Sequence, residues 1–189
     1  MLKRDARELF KQKRKELSDA ERAKLDDLML IQFQRIDLPQ IRHLLSFWPI
    51  EENREPNTHL FNDYLEFRNP AIQFLYPRSD FDKKEMEAIE VSADTAFQKN
   101  AWNIHEPMDG TVVDANIIDM VFVPLVIFDK RGYRVGYGRG FYDKYLKGCR
   151  PDSLKVGFCY FEPLNEISDT REFDVPLNIC ITPNTIYVF

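Results

Sequence analysis

A chain of 189 residues with 44% hydrophobic and 13% aromatic content is long enough to bury one core, short for two, and far from a disordered composition. A net charge of −5 argues against a nucleic-acid-binding domain. The three cysteines contain no C-x-x-C pair, no run reaches the length of a membrane span, and the start M-L-K-R-D lacks an apolar signal region. The expectation is one cytoplasmic domain over residues 1–189, with reduced thiols and neither membrane nor nucleic-acid partners.

Charge is unevenly spread, with seven basic and two acidic residues through Lys15, so that a net of +5 there leaves −10 for the remainder. Residues 2–17 are predicted to form a helix with Leu2, Ala6, Leu9 and Phe10 as its apolar stripe. Its other face carries Lys3, Arg4, Arg7, Lys11 and Arg14, which read either as a solvated face or as a local positive potential that draws in a phosphate. Ser18 and Glu21 form a capping box before a second helix with Leu25, Leu28, Met29, Gln32 and Ile36 at helical spacing, ended by Pro39. His43 to Trp48 reads as the first strand. In the following loop Glu51, Glu52 and Glu55 are all candidates to hold a polar, amine-bearing substrate, and Asn57 or Thr58 caps the helix His59 to Phe67.

Ile72 to Tyr76 and Glu87 to Val91 are predicted strands. Trp102 lies in a stretch without period, where a ring lines a pocket or fills a gap. The apolar run from Ile117 to Phe128 reads as a buried central strand. Lys155 to Phe161 and Leu177 to Thr182 are further strands, joined by the charged connection Thr170 to Pro176, and the tail I-Y-V-F suits an edge strand. Strands alternating with helices indicate an α/β fold, a mostly parallel Rossmann-like sheet with helices on both faces. The three histidines, His43, His59 and His105, read as surface or packing residues.

Four of the seven glycines, Gly132, Gly136, Gly138 and Gly140, fall within Asp129 to Leu146. Such clustering suits a chain that turns sharply or lies against a ligand. A glycine loop between strand and helix aims free amides at an anion, Arg134 and Arg139 add fixed cations, and phosphate is the natural guest. An ordinary tight connection is the competing reading. Tyr142-Asp143 favours the ligand, because a carboxylate beside a phosphate calls for a cation between them, and Mg²⁺ fits.

The segment G-Y-R-V-G-Y-G-R-G-F-Y-D-K-Y-L resembles the signature of the 5-formyltetrahydrofolate cyclo-ligase (methenyltetrahydrofolate synthetase) family. There it follows a D-x-x-x-V-P strand, supplied here by Asp119, Val123 and Pro124. Lys3 and Arg7 as K-x-x-x-R, Glu55 and Thr58 as Glu-x-x-Thr, and Pro77-Arg78 extend the likeness across nearly the whole chain. The resemblance implies ATP-dependent closure of 5-formyltetrahydrofolate, with or without a polyglutamate tail, to 5,10-methenyltetrahydrofolate by a monomer or weak dimer. It implies that Lys3, Arg4, Asp5, Ala6 and Arg7, with Arg134, Val135, Gly136, Tyr137, Gly138, Arg139, Gly140, Phe141 and Tyr142, hold ATP. Trp48, Glu55, Trp102 and Tyr137 to Phe141 would contact the folate, Asp143 and Asp174 would bind Mg²⁺, and Arg134 and Arg139 would neutralise the transferred phosphoryl group. Many relatives have His-Asp where this chain has Phe173-Asp174.

Overall fold

Helix α1 (Lys3–Glu16), rich in strong helix formers, opens the chain in the computed structural model, which describes residues 1–189. Its inward face is Ala6, Phe10 and Arg14, at i, i+4 and i+8, whereas Leu2 and Leu9 stay 46% and 41% exposed. The expected apolar stripe is thus displaced, and an arginine completes it. Ser18 and Glu21 make the reciprocal box that starts α2 (Asp19–Phe33), which turns Asp26, Met29 and Phe33 inward and leaves Leu25, Leu28 and Gln32 half-buried. Asn57 caps α3 (Thr58–Arg68) by accepting from the His59 amide.

The strands are β1 (His43–Leu45), β2 (Gln73–Asp80), β3 (Glu85–Glu90), β4 (Phe97–Lys99), β5 (His105–Pro107), β6 (Val112–Val113), β7 (Met120–Phe122), β8 (Ile127–Phe128) and β9 (Arg134–Val135). After helix α4 (Phe141–Leu146) come β10 (Leu154–Phe158), β11 (Ile179–Ile181) and β12 (Ile186–Val188). Eight of them form one sheet in the order β12-β11-β10-β7-β1-β2-β3-β6. The five strands β11, β10, β7, β1 and β2 are parallel, while β12, β3 and β6 join antiparallel toward the edges.

Alternation along the strands divides the core in two. Leu44, Met120, Phe122, Val156 and Phe158 face Met29 and Phe33 of α2 and Phe61 and Leu65 of α3. Leu45, Leu75 and Val121 face the opposite side with Ala6 and Phe10 of α1 and Leu146 of α4. Helices therefore cover both faces, as α/β patterning requires. On the first face Phe33 meets Phe61, Phe122 and Phe158 edge-on, and Phe61 lies flat on Phe158 at 3.8 Å between centroids.

Two departures from the sequence reading shape the site. Ile117 to Phe128 is not one strand: β7 ends at Phe122, Pro124 cannot donate to a ladder, and Ile127-Phe128 pairs with Arg134-Val135 in a separate hairpin. The glycine loop therefore leaves a short hairpin rather than the central strand itself. Strand β2 continues past Tyr76 through Pro77 to Asp80. Beyond Leu75 it pairs only with β3, and an edge position tolerates the missing N–H. The remaining short strands, β4 and β5, make a hairpin where the sequence showed no period, with Trp102 in its turn.

Candidate active site

In open α/β sheets ligands settle beyond the carboxyl ends of parallel strands, where the strand order reverses. Here that point lies between β1 and β7, since β2 lies on one side of the pair and β10 and β11 on the other. The loop leaving β1 supplies Phe47, Trp48, Ile50 and Glu55, and the chain beyond β7 supplies Pro124, Arg134 and then Gly136 to Asp143. Together they line a cavity of about 410 Å³. The third wall is α1, through Lys3, Arg4 and Arg7, and the fourth is the charged connection before β11, through Asp169, Arg171, Phe173 and Asp174.

Charge in the cavity runs against the rest of the protein. Six cations (Lys3, Arg4, Arg7, Arg134, Arg139 and Arg171) face four carboxylates (Glu55, Asp143, Asp169 and Asp174), a net of +2 in a chain whose net charge is −5. The glycine loop adds donors, because none of the amides from Tyr137 to Asp143 donates to a protein acceptor. Gly138 (φ +89°) and Gly140 (φ +77°) occupy the left-handed region that lets the loop fold back over α1. The Arg7 guanidinium lies 3.5 Å from where a Gly138 side chain would begin, and its Nε donates to the Gly136 carbonyl at 2.7 Å. At Gly140 a side chain would meet nothing within 4 Å, so that wall is open to a guest.

The two loop arginines divide in role. Arg134 is buried, with one Nη donating to the Val175 carbonyl and the other to Asp143 Oδ1 at 3.0 Å. Burial pushes its pKa down and Asp143 opposes that. Arg139 is exposed, its guanidinium 4.7 Å from the Trp102 ring and 5.2 Å from Phe81. Trp102 stacks on Phe81 at 3.6 Å.

Asp143 Oδ1 also accepts from the Val175 amide at 3.0 Å, and Asp174 Oδ2 takes both the Lys3 ammonium and the Arg171 amide. Each carboxylate thus keeps its second oxygen unengaged beside one cavity. No cluster of three metal-ligating side chains is present. Mg²⁺ needs no such cage, because it is commonly held by one or two carboxylates together with substrate phosphates and water. The Tyr142 hydroxyl, shielded from solvent and without a protein partner, is a further group awaiting a polar guest. These residues fit an anionic nucleotide with its metal ion.

Of the three glutamates left open by sequence, Glu51 and Glu52 are exposed and pair with Arg22 and Lys99. Glu55 alone lines the cavity and is 2% exposed. It accepts from the Ile50 amide at 2.7 Å. Burial raises its pKa, while the Ile50 amide, the Tyr137 hydroxyl, Arg14 and Lys11 pull it back. Trp48 lines the cavity beside it, its ring packed against His59 at 4.8 Å and His105 at 4.7 Å. Burial lowers the pKa of both imidazoles.

Several expected contacts lie off the cavity wall. Ala6 and Val135 are wholly buried in the core, Asp5 faces solvent beside Arg4, and Trp102 reaches the cavity only through Phe81 and Arg139. Arg14, read as part of a solvated or phosphate-facing surface, is instead fully buried. Conversely, Phe81 and Arg171 line the cavity unforeseen, since they reach it from a turn and a connection without periodic signal.

Residues 2–183 match the model of the 5-formyltetrahydrofolate cyclo-ligase family. A 5-formyltetrahydrofolate cyclo-ligase of Mycoplasma genitalium is 30% identical over 182 residues, covering 94% of this chain and 97% of that protein. The solved 5,10-methenyltetrahydrofolate synthetase of Aquifex aeolicus superposes with a TM-score of 0.81 at 27% identity, covering 100% of this chain and 93% of its own. That of Mycoplasma pneumoniae gives 0.75 at 27% identity, over 97% and 99%. The glycine loop and its basic cavity thus sit in a chain that belongs to the 5-formyltetrahydrofolate cyclo-ligase family.

Proposed function

We propose that the chain, as one domain over residues 1–189, closes 5-formyltetrahydrofolate to 5,10-methenyltetrahydrofolate at the expense of ATP and Mg²⁺. The observation that carries this reading is the single cavity in which an amide-rich, arginine-flanked glycine loop faces a buried carboxylate and an indole across the sheet's switch point. The nucleotide phosphates suit the side formed by Lys3, Arg7, Gly138 to Tyr142 and Arg171, where cations and free amides converge. The pterin suits the side of Trp48 and Glu55, where a flat ring finds an aromatic wall and its N–H donors find a buried acceptor.

In the reaction the terminal phosphoryl group passes to the formyl oxygen, the folate's ten-position nitrogen attacks the activated carbon, and phosphate departs with that oxygen. Phosphoryl transfer depends mainly on position and charge neutralisation. Arg139, whose partners are rings rather than carboxylates, is free to meet the transferred group. Arg134 acts one step back, orienting Asp143. Mg²⁺ bound by the free oxygens of Asp143 and Asp174 would supply further neutralising charge.

The test is the appearance of the methenyl chromophore by absorbance when purified protein meets 5-formyltetrahydrofolate. The expected result is product only when ATP and Mg²⁺ are both present, with ADP and phosphate formed in equal amounts. Absence of the chromophore with ATP and Mg²⁺ supplied, or its formation at the same rate without ATP, overturns the reading.

A further inference from the structure

Arg14 is the largest fully buried side chain of the protein, an unusual place for a permanent charge. Its guanidinium reaches across from α1 to the irregular chain after β7, donating to the carbonyls of Leu125 and Val126, and its other Nη donates to the Tyr137 hydroxyl at 3.1 Å. Tyr137 and Glu55 share the cavity wall and feel each other's charge, and Lys11 stands 5.6 Å over the Tyr137 ring. Burial works against the Arg14 charge, but Tyr137, Cys159 and Glu55 around it outweigh burial and hold its pKa above the ordinary value.

We propose that Arg14 is a positioning residue of the reaction: by fixing the Tyr137 hydroxyl it holds the Glu55 carboxyl in place on the folate half of the cavity. The file Arg14, Tyr137, Glu55 joins three separate elements, α1, the glycine loop and the loop after β1, at the boundary between nucleotide and folate sides. This inference rests on the reading of Glu55 given above and deepens it. Burial already raises the Glu55 pKa, and without Arg14 the only cation left to oppose burial is the half-buried Lys11, so the carboxyl takes up a proton more readily. The protonated acid loses the acceptor that a pterin N–H donor requires. The other groups facing Glu55 are Tyr142 from α4 and the Ile50 amide, while Arg22 and Tyr160 reach only its backbone carbonyl.

The experiment compares wild type with Y137F, R14M and R14K by calorimetric binding of 5-formyltetrahydrofolate from pH 5.5 to 8.5, alongside KM and kcat for both substrates. Y137F removes only the linking hydroxyl and keeps the ring, so it remains informative if R14M fails to fold. In Y137F and R14M the folate affinity at neutral pH is expected to fall about tenfold. The loss of binding on acidification is expected to move to higher pH by about one unit. The effect should fall on folate KM rather than on ATP KM, and R14K should recover part of it. Wild-type affinity and an unmoved pH profile in Y137F overturn the proposal while leaving the cavity's assignment intact. Failure of the wild-type protein to bind the folate at any pH overturns that assignment, and this proposal with it.

Discussion

Replacing Arg139 by alanine separates chemistry from stability, because the side chain is exposed and its contacts are with two rings, Trp102 at 4.7 Å and Phe81 at 5.2 Å. A cation over a ring at an exposed site contributes about 0.5–1 kcal/mol. Trp102 and Phe81 remain stacked on each other at 3.6 Å without it, so unfolding should become easier by about 1 kcal/mol. For a chain of this size that lowers Tm by roughly 2–4 °C. If the guanidinium meets the phosphoryl group in flight, its removal costs a charge-assisted hydrogen bond of about 1.5–3 kcal/mol. At about 1.4 kcal/mol per decade, turnover then falls roughly 10- to 150-fold. Arg139→Lys should recover part of this loss, since it restores the charge without the planar fork. Methenyl absorbance at saturating ATP and folate gives the first quantity and a thermal melt the second. Turnover within twofold of wild type would refute the assignment, and a Tm loss of ten degrees or more would show that the residue holds the fold instead.

Asp143→Asn keeps an oxygen for Arg134 and Val175 but loses the charge, so half-maximal activity should require at least about tenfold more Mg²⁺; superimposable metal titrations would dismiss the ligand role. Asp26, 4% exposed and accepting from the Tyr160 hydroxyl at 2.9 Å, has its pKa pushed up to about 6 by burial. A carboxyl raised from 3.8 to about 6 on folding stabilises the native state when protonated, and that contribution, at most about 3 kcal/mol, is lost as pH rises through 6. Urea melts should therefore show Asp26→Asn gaining stability relative to wild type between pH 4.5 and 7.5, and an equal offset at both pH values would contradict this. Phe33→Ala, which empties the centre of the aromatic cluster, should cost about 3–5 kcal/mol; a chemical-denaturation difference below 1 kcal/mol would mean the ring's neighbours close over the gap.

How far the site is legible in sequence depends on what kind of signal each part leaves. The glycine loop is conspicuous because positive φ at Gly138 and Gly140 excludes side chains, so the backbone constraint is written in residue type. The capping box and alternating core positions are legible for a similar reason, since each follows a local rule. Glu55 could not be separated from Glu51 and Glu52, because the distinction is burial by Tyr137 and the Ile50 amide, set by elements far apart in the chain. The apolar run through Phe128 misleads because composition cannot show that Pro124 interrupts the ladder and that the run's end pairs with Arg134-Val135. Arg14 misleads most, since a basic residue on a basic helix gives no sign that it completes the buried row of Ala6 and Phe10.

Burial also explains why an acidic chain can concentrate arginines at one cavity without repelling itself apart. Arg14 and Arg134 are withdrawn from solvent and hydrogen-bonded locally, to backbone carbonyls and the Tyr137 hydroxyl in one case and to the Val175 carbonyl and the Asp143 carboxylate in the other. Arg139 and Arg171 remain exposed at the opening. On the proposed reading the buried pair would fix geometry, Arg14 through Tyr137 beside Glu55 and Arg134 through Asp143, while the exposed pair would supply charge for a phosphate. Losing a buried arginine strands a partner as well as removing a cation, so its cost falls on stability, binding and pH dependence together. Losing an exposed one such as Arg139 costs little stability, so on the proposed reading its cost would fall mainly on turnover. The same residue type would thus do two different jobs around one cavity, with burial deciding which.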